Sequence, residues 1–163
     1  MYIRSGRLTL TRTVSDDAEL KQLFDDYDDL RFMSELRLHG SEMPSTMSFR
    51  VIFKKKLIGE VSLKNIKWLN RKAEISVMIS NEFQHQGFGR EAVLRIIHFS
   101  FDTLNFYRLE AQINHDNFHS IKMFECLGFV KEGVLRKAKY IDGEYHDIIQ
   151  YGLLKPEFNP VSE

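Results

Sequence analysis

The run Lys72-Ala73-Glu74-Ile75-Ser76-Val77-Met78-Ile79-Ser80, followed after three residues by Gln84-His85-Gln86-Gly87-Phe88-Gly89-Arg90, decides the fold. The first piece sets Ala73, Ile75, Val77 and Ile79 against Glu74, Ser76 and Met78, the two-residue period of a half-buried strand. The second opens a segment, 87–103, in which Ala92, Val93, Ile96, Ile97 and Phe101 recur at helical spacing. The junction is therefore strand, glycine-bearing turn, helix. Gly87 and Gly89 remove Cβ atoms where backbone N–H groups can approach a ligand. The free N–H groups and positive dipole end of a helix start favour an anion, and Arg90 adds a formal charge. The stretch suits a phosphate or pyrophosphate, with a plain tight turn as the alternative.

Working outward, three β-like runs (48–53, 57–66 and 72–80) are joined by the basic turn Lys54-Lys55-Lys56 and by Asn70-Arg71, short links that imply an antiparallel meander. Downstream, 108–113 reads as a strand and 117–127 as a helix ended by Gly128. Two strands, 129–135 and 145–154, flank a turn at Asp142-Gly143. Upstream, 2–11 reads as one strand. Ser15 caps a helix carrying Leu20, Leu23, Phe24 and Tyr27, and a short helix covers 29–38. Strands in hairpins followed by a β-α-β crossover make an α/β protein with a mixed, mostly antiparallel sheet flanked by helices. The expected organisation is one domain over 1–155 with a C-terminal tail, 156–163, holding Pro156 and Pro160.

The composition is that of an ordinary globular chain: 163 residues, 43% hydrophobic and 28% charged. Lys plus Arg and Asp plus Glu each number 23, so no basic excess marks a nucleic-acid binder. The lone Cys126 excludes an internal disulfide. No run approaches the roughly 20 apolar residues that span a membrane, and the N-terminus has no signal-peptide pattern. A cytoplasmic protein is expected, with no nucleic-acid and no membrane partner. Charge is uneven locally: 15–30 holds seven acids and one base, whereas 50–72 holds eight bases and one acid. The two stretches read either as solvated faces that attract each other or as an acidic patch recruiting a cationic substrate.

Two phosphate-binding readings compete. Gly87-Phe88-Gly89-Arg90-Glu91-Ala92 fits the dinucleotide fingerprint. Its context fails, because antiparallel hairpins precede it and Glu110 sits near the start of its strand rather than the end. No phosphate-binding P-loop sequence is present. The chain instead resembles the GNAT family of acetyl-CoA-dependent N-acetyltransferases. Gln84, Gly87 and Gly89 match that family's [QR]-x-x-G-x-[GA] motif. Asn117, Ser120, Phe124, Gly128 and Phe129 match a second one, 33 positions on. The segments 132–136 and 140–147 resemble the branch of ribosomal-protein N-terminal acetyltransferases and bacterial spermidine acetyltransferases. The likeness is good over 56–154 and weak before it.

The resemblance implies a GNAT (acyl-CoA N-acyltransferase) fold and acetyl-CoA as cosubstrate. Backbone groups of Val77, Met78 and Ile79 would bind the pantetheine arm as another strand, and an N–H near Met78 would stabilise a developing oxyanion. Backbone N–H groups over Gln84, His85, Gln86, Gly87, Phe88, Gly89 and Arg90 would hold the pyrophosphate. Asn117, Ser120 and Phe124 would line the thioester end. A protonated amine must lose its proton before it attacks, so a general base is needed. Glu74, in a strand resembling the family's base-bearing one, is the first candidate. Many members place a tyrosine acid at the position of Phe124. Here Tyr140 or water would substitute, with Ser120 near the thiol. Ribosomal-protein acetyltransferases have a glutamate at the position of Lys139, which argues against importing their mechanism.

The acceptor is a primary amine, on a polyamine, another small molecule or a protein N-terminus, and a homodimer is left open. A non-catalytic acyl-CoA-binding sensor or structural subunit is the rival, kept alive by Phe124. No metal is expected, since His115 and His119 lack a third ligand of fitting spacing. Cys126, beside Leu127, is expected to pack in the core.

Overall fold

The computed structural model describes residues 2–5, 8–11 and 43–159. Contacts divide the chain into two units, 1–42 and 43–163. In the first unit the expected single strand is a hairpin, β1 (Tyr2–Ser5) against β2 (Leu8–Thr11), with Tyr2 opposite Thr11. The helices expected over 15–38, and with them the acidic stretch, lie outside the described residues.

The second unit is built on six strands: β3 (Met47–Phe53), β4 (Lys56–Lys67), β5 (Lys72–Ile79), β6 (Arg108–Asn114), β7 (Val130–Ile141) and β8 (Glu144–Leu154). Their order across the sheet is β3-β4-β5-β6-β8-β7. Every neighbouring pair is antiparallel except β5–β6, which is parallel. That parallel pair needs a crossover, supplied by α1 (Phe88–His98) and the wide π-helical turn Phe99–Thr103. A second helix, α2 (Phe118–Cys126), connects β6 to β7. Its N-cap is Asn117, whose side-chain oxygen accepts from the Ser120 N–H, and Gly128 follows its end at φ +92°. The expected Asp142-Gly143 turn closes β7 on β8, both residues at positive φ as a type I′ turn requires.

One core holds the unit together. The inward faces of β5 and β6 (Ala73, Ile75, Leu109, Ala111, Ile113) meet Val93, Ile96 and Ile97 of α1, and Phe101 beyond it. Phe124, Leu127 and Phe129 close the core on the α2 side, and Tyr151 and Leu153 do so from β8. Each such aliphatic or aromatic side chain contributes about 1.5–3 kcal/mol on burial. The Tyr151 hydroxyl donates to Glu125 at 2.9 Å, and burial together with that carboxylate pushes its pKa up to about 12. At the C-terminus, Phe158 stacks on Phe101 and His98, so the segment read as a tail is docked as far as that ring.

Candidate functional site

The parallel pair is where the sheet opens. β5 and β6 pair only at Lys72–Arg108, Ala73–Leu109 and Glu74–Glu110, then part. On its other flank β5 stays paired to β4 as far as Ile79, opposite Gly59. The Ser80 N–H donates to the Ile58 carbonyl across that ladder. Alternation then turns the polar groups of Met78 toward β4 as well, and those of Val77 and Ile79 toward the open flank. An N–H turned to the open flank near Met78 would therefore come from Val77 or Ile79. The Met78 N–H itself is turned to β4, and its side chain, 72% exposed, forms part of the cleft wall.

The splay opens a cleft of about 820 Å³. One wall is Val77, Met78 and Ile79. The floor is Gln84, His85, Gly87, Gly89 and Arg90, and the opposite wall carries Asn117 and Ser120. Gly87 is the N-cap of α1 at φ +88°, and a Cβ there would meet nothing within 4 Å, so its side-chain position opens on free space. The Glu91 N–H is the first in α1 to find a helical acceptor, the Gly87 carbonyl. The N–H groups of Phe88, Gly89 and Arg90 precede it and have no carbonyl within the helix to bond. Gln84 shapes the turn rather than the ligand: its side-chain amide donates to the Ile79 carbonyl at 2.8 Å and to Asn81 at 3.0 Å. A bare helix start with Arg90 beside it, continuous with an unpaired strand flank, fits a long anionic ligand with a peptide-like arm, as CoA is.

Several of the expected positions contribute no side chain to the cleft. Gln86 donates to the Glu82 carbonyl, and the Phe88 ring packs among Phe53 and Phe83; neither side chain lines the cleft. Phe124 is 4% exposed, set edge-on to Phe129 in the core. The structure does not bring Glu74, Ser120 and Tyr140 together in the cleft wall; of the three, only Ser120 lines it. Tyr140 is 64% exposed near the β7–β8 tip, where a short hairpin pairs its ring with Tyr145. Glu74 is half-buried on the sheet face opposite Ala73 and Ile75, at the last β5–β6 pair before the strands part. Asn65, at φ +50° in the β4 bulge, donates its side-chain amide to Glu74 at 3.0 Å. Glu110, across from Glu74, is held by Lys72 and Arg108. Burial pushes its carboxyl up, but those two cations outweigh it and bring it below the usual range.

The cleft also contains residues whose sequence context does not point to it. Phe83, His119, Lys122, Met123 and Cys126 line it, and the His119 ring stacks edge-on with His85 at 4.4 Å. Cys126 is exposed, not packed in the core. A helical wheel would have found this face. At 100° per residue, His119, Lys122, Met123 and Cys126 fall on one stripe, whereas Phe124 and Leu127 fall on the adjacent core stripe.

Residues 7–130 match the family model of the acetyltransferase (GNAT) domain. The spermidine N(1)-acetyltransferase of Vibrio cholerae serotype O1 is 33% identical over 109 residues, 67% of this chain and 63% of that protein. YdaF of Bacillus subtilis (strain 168), provisionally named a ribosomal N-acetyltransferase, is 36% identical over 63% of this chain and 56% of its own. The chain thus spans less than two thirds of either curated relative. Among solved structures, the spermidine/spermine N-acetyltransferase SpeG of Vibrio cholerae in complex with manganese ions superposes with a TM-score of 0.65. It is 28% identical, over 83% of this chain and 73% of that one.

Proposed function

The chain belongs to the acetyltransferase (GNAT) family, and on that premise we propose that it is an N-acetyltransferase, moving an acetyl group from acetyl-CoA to a primary amine by direct attack, with no covalent acetyl-enzyme. The observation that carries this reading is the splay of β5 from β6, with the N-terminus of α1 at its mouth. When bound, acetyl-CoA supplies an activated thioester. The N–H groups of Phe88, Gly89 and Arg90 hold negative charge at the helix start. Val77 and Ile79 turn backbone groups to the open flank, where a strand-like arm can be held and a developing negative charge stabilised. Asn117, through its cap on Ser120, fixes the opposite wall. His85, Gln86 and Gln84 shape the turn, and Met78 shapes the wall beside it.

Glu74 takes the proton of the incoming amine. The Asn65 amide steadies the carboxylate that must accept it. Ser120, on the cleft wall, is the one hydroxyl on α2 that can act on a leaving thiol, and Tyr140, exposed near the β7–β8 tip, is the alternative acid. The domain runs over 1–155, a span supported by a family match that crosses the junction between the two units. A cytoplasmic location is part of the proposal; among the described residues no helix is long and apolar enough to cross a membrane.

One observation favours a second reading, a non-catalytic acyl-CoA-binding sensor: Phe124 is buried in the core and offers no acid. Release of free thiol from acetyl-CoA separates the two. Turnover with spermidine, an amino sugar or an N-terminal peptide supports the transferase. CoA binding without turnover on any of these amines supports the sensor.

A further inference from the structure

The fold brings His146 to a histidine and an aspartate that adjoin each other thirty positions earlier in the chain. His115 and Asp116 sit in the turn between β6 and α2, and His146 sits thirty positions on, in β8. The His115 Nε2–H donates to Asp116 Oδ1 at 2.9 Å, and the His146 Nδ1–H donates to Asp116 Oδ2 at 2.9 Å. One ligand atom from each of the three lies within 4.8 Å of the others. The turn is fixed before any ligand arrives. The His115 N–H donates to the Asp147 carbonyl at 3.1 Å, and the Asp116 N–H donates to the Asn114 side chain at 3.2 Å.

We propose that His115 Nε2, His146 Nδ1 and one carboxylate oxygen of Asp116 bind a single borderline divalent transition ion, with Zn²⁺ as the representative, and that water completes the coordination. Two imidazoles and a carboxylate with one position open are a ligand set such ions take. Zinc bonds near 2.0–2.1 Å in a tetrahedron set ligand atoms about 3.4 Å apart. Small rotations of side chains that are 46%, 54% and 21% exposed bring the three atoms to that spacing. Each imidazole now turns an N–H toward Asp116. On binding, the neutral imidazole presents that nitrogen's lone pair to the ion and carries its single proton on the other ring nitrogen.

The ion ties the turn to β8 one residue ahead of Asn117, which caps α2 and lines the cleft. It is a fastening for the cleft wall rather than a reactive centre. The nearest cation in register is Lys139, opposite His146 across β7–β8. Its charge opposes the ion, so removing it tightens binding.

The test is calorimetric titration of the chelator-treated full chain with Zn²⁺ alone. One ion per chain is expected, with a rise in melting temperature on loading. His146→Gln and Asp116→Asn should each weaken binding at least about tenfold, and Lys139→Ala should strengthen it. His98→Gln, which removes a separate histidine–carboxylate pair on α1, should leave it unchanged. Mn²⁺ should bind more weakly than Zn²⁺. No saturable binding, or binding that survives the double variant His115→Gln/His146→Gln, overturns the proposal. Should those variants unfold, the Co²⁺ spectrum of the wild-type chain decides: nitrogen and oxygen ligation supports the site, and a thiolate charge-transfer band assigns the ion to Cys126 instead.

Discussion

Along β8, strand β6 pairs at every residue from Arg108 to Asn114; along β5 it pairs at the first three only. The same strand is zipped on one flank and open on the other. On the zipped flank each backbone group has a sheet partner. A cluster of ions reinforces it: Arg108 holds Glu110 and grips both oxygens of Glu132, close over Gly152, where a Cβ would run into that carboxylate. On the open flank, Val77 and the Ile79 N–H face a cleft with no strand beside them, and the Ile79 carbonyl accepts from the Gln84 side chain. An unpaired strand flank is a liability unless something covers it. The strand chemistry does not differ between the flanks. What differs is that one flank has a strand as its partner and the other faces a cleft.

The largest effect should appear at the point where the flanks diverge. Glu74→Gln keeps the side-chain shape and removes its ability to take a proton. Turnover should fall roughly 10²-fold while CoA affinity holds. The defect should shrink at high pH, where more amine is already neutral. Asn65→Ala, which leaves the base but not its support, should cost only several-fold, on the order of one hydrogen bond. Wild-type turnover in the Glu74 variant would pass the proton to water or another group. Next in size is the helix start. Gly87→Val forces a β-branched residue to φ +88° and puts a side chain into the open space at the helix start. CoA affinity should drop at least about tenfold, near 1.4 kcal/mol. Equilibrium binding on a variant shown to be folded checks it.

The zipped flank should behave oppositely, with stability affected and binding not. Glu132→Gln removes the two-point grip on Arg108 and should cost about 1–2 kcal/mol, reduced from a buried charged pair because both side chains are partly exposed. CoA affinity should not move. The hydrogen bond from Arg108 holds the Glu132 carboxyl below its usual range, and Glu110 is also depressed. A depressed carboxyl contributes stability above its unfolded pKa, near 4.3, and loses it as pH falls through the folded value. Denaturant midpoints taken from pH 7 down toward 3 should therefore fall less in the variant than in the wild type.

The same contrast marks what the sequence could show. The zipped flank and the core were readable because alternation in β5 and the helical stripe of α1 follow from burial, and the glycine pair follows from the need for close approach. The residues of α2 were readable only as a motif. The motif names Phe124, but its ring falls on the core stripe, while Lys122, His119 and Cys126 share the cleft stripe. Asn65 was invisible, since a bulge that swings an amide onto a carboxylate nine residues away has no sequence period. His146 escaped for a related reason: its partners lie across a sheet, and spacing along the chain carries no trace of them.

The smallest effect concerns the acceptor, and it bears on whether the open flank selects as well as binds. Asp25, Asp26, Asp28 and Asp29 form a dense run of acids, and they lie outside the described residues. If they recruit a polycation, they act at a distance, through encounter and weak pairing, and each charge is screened within about 8 Å at physiological salt. Asp28→Asn/Asp29→Asn should therefore lower kcat/KM for spermidine only a few-fold, and less at high salt. A monoamine with an uncharged body should lose almost nothing. The proposed chemistry at Glu74 would be common to both acceptors, so a loss shared equally by the two would end the polyamine reading. No activity on spermidine would leave a peptide N-terminus or an amino sugar as the acceptor. A selective, salt-sensitive loss for spermidine would mean that the protein takes its acetyl donor through backbone geometry and its acceptor through charge.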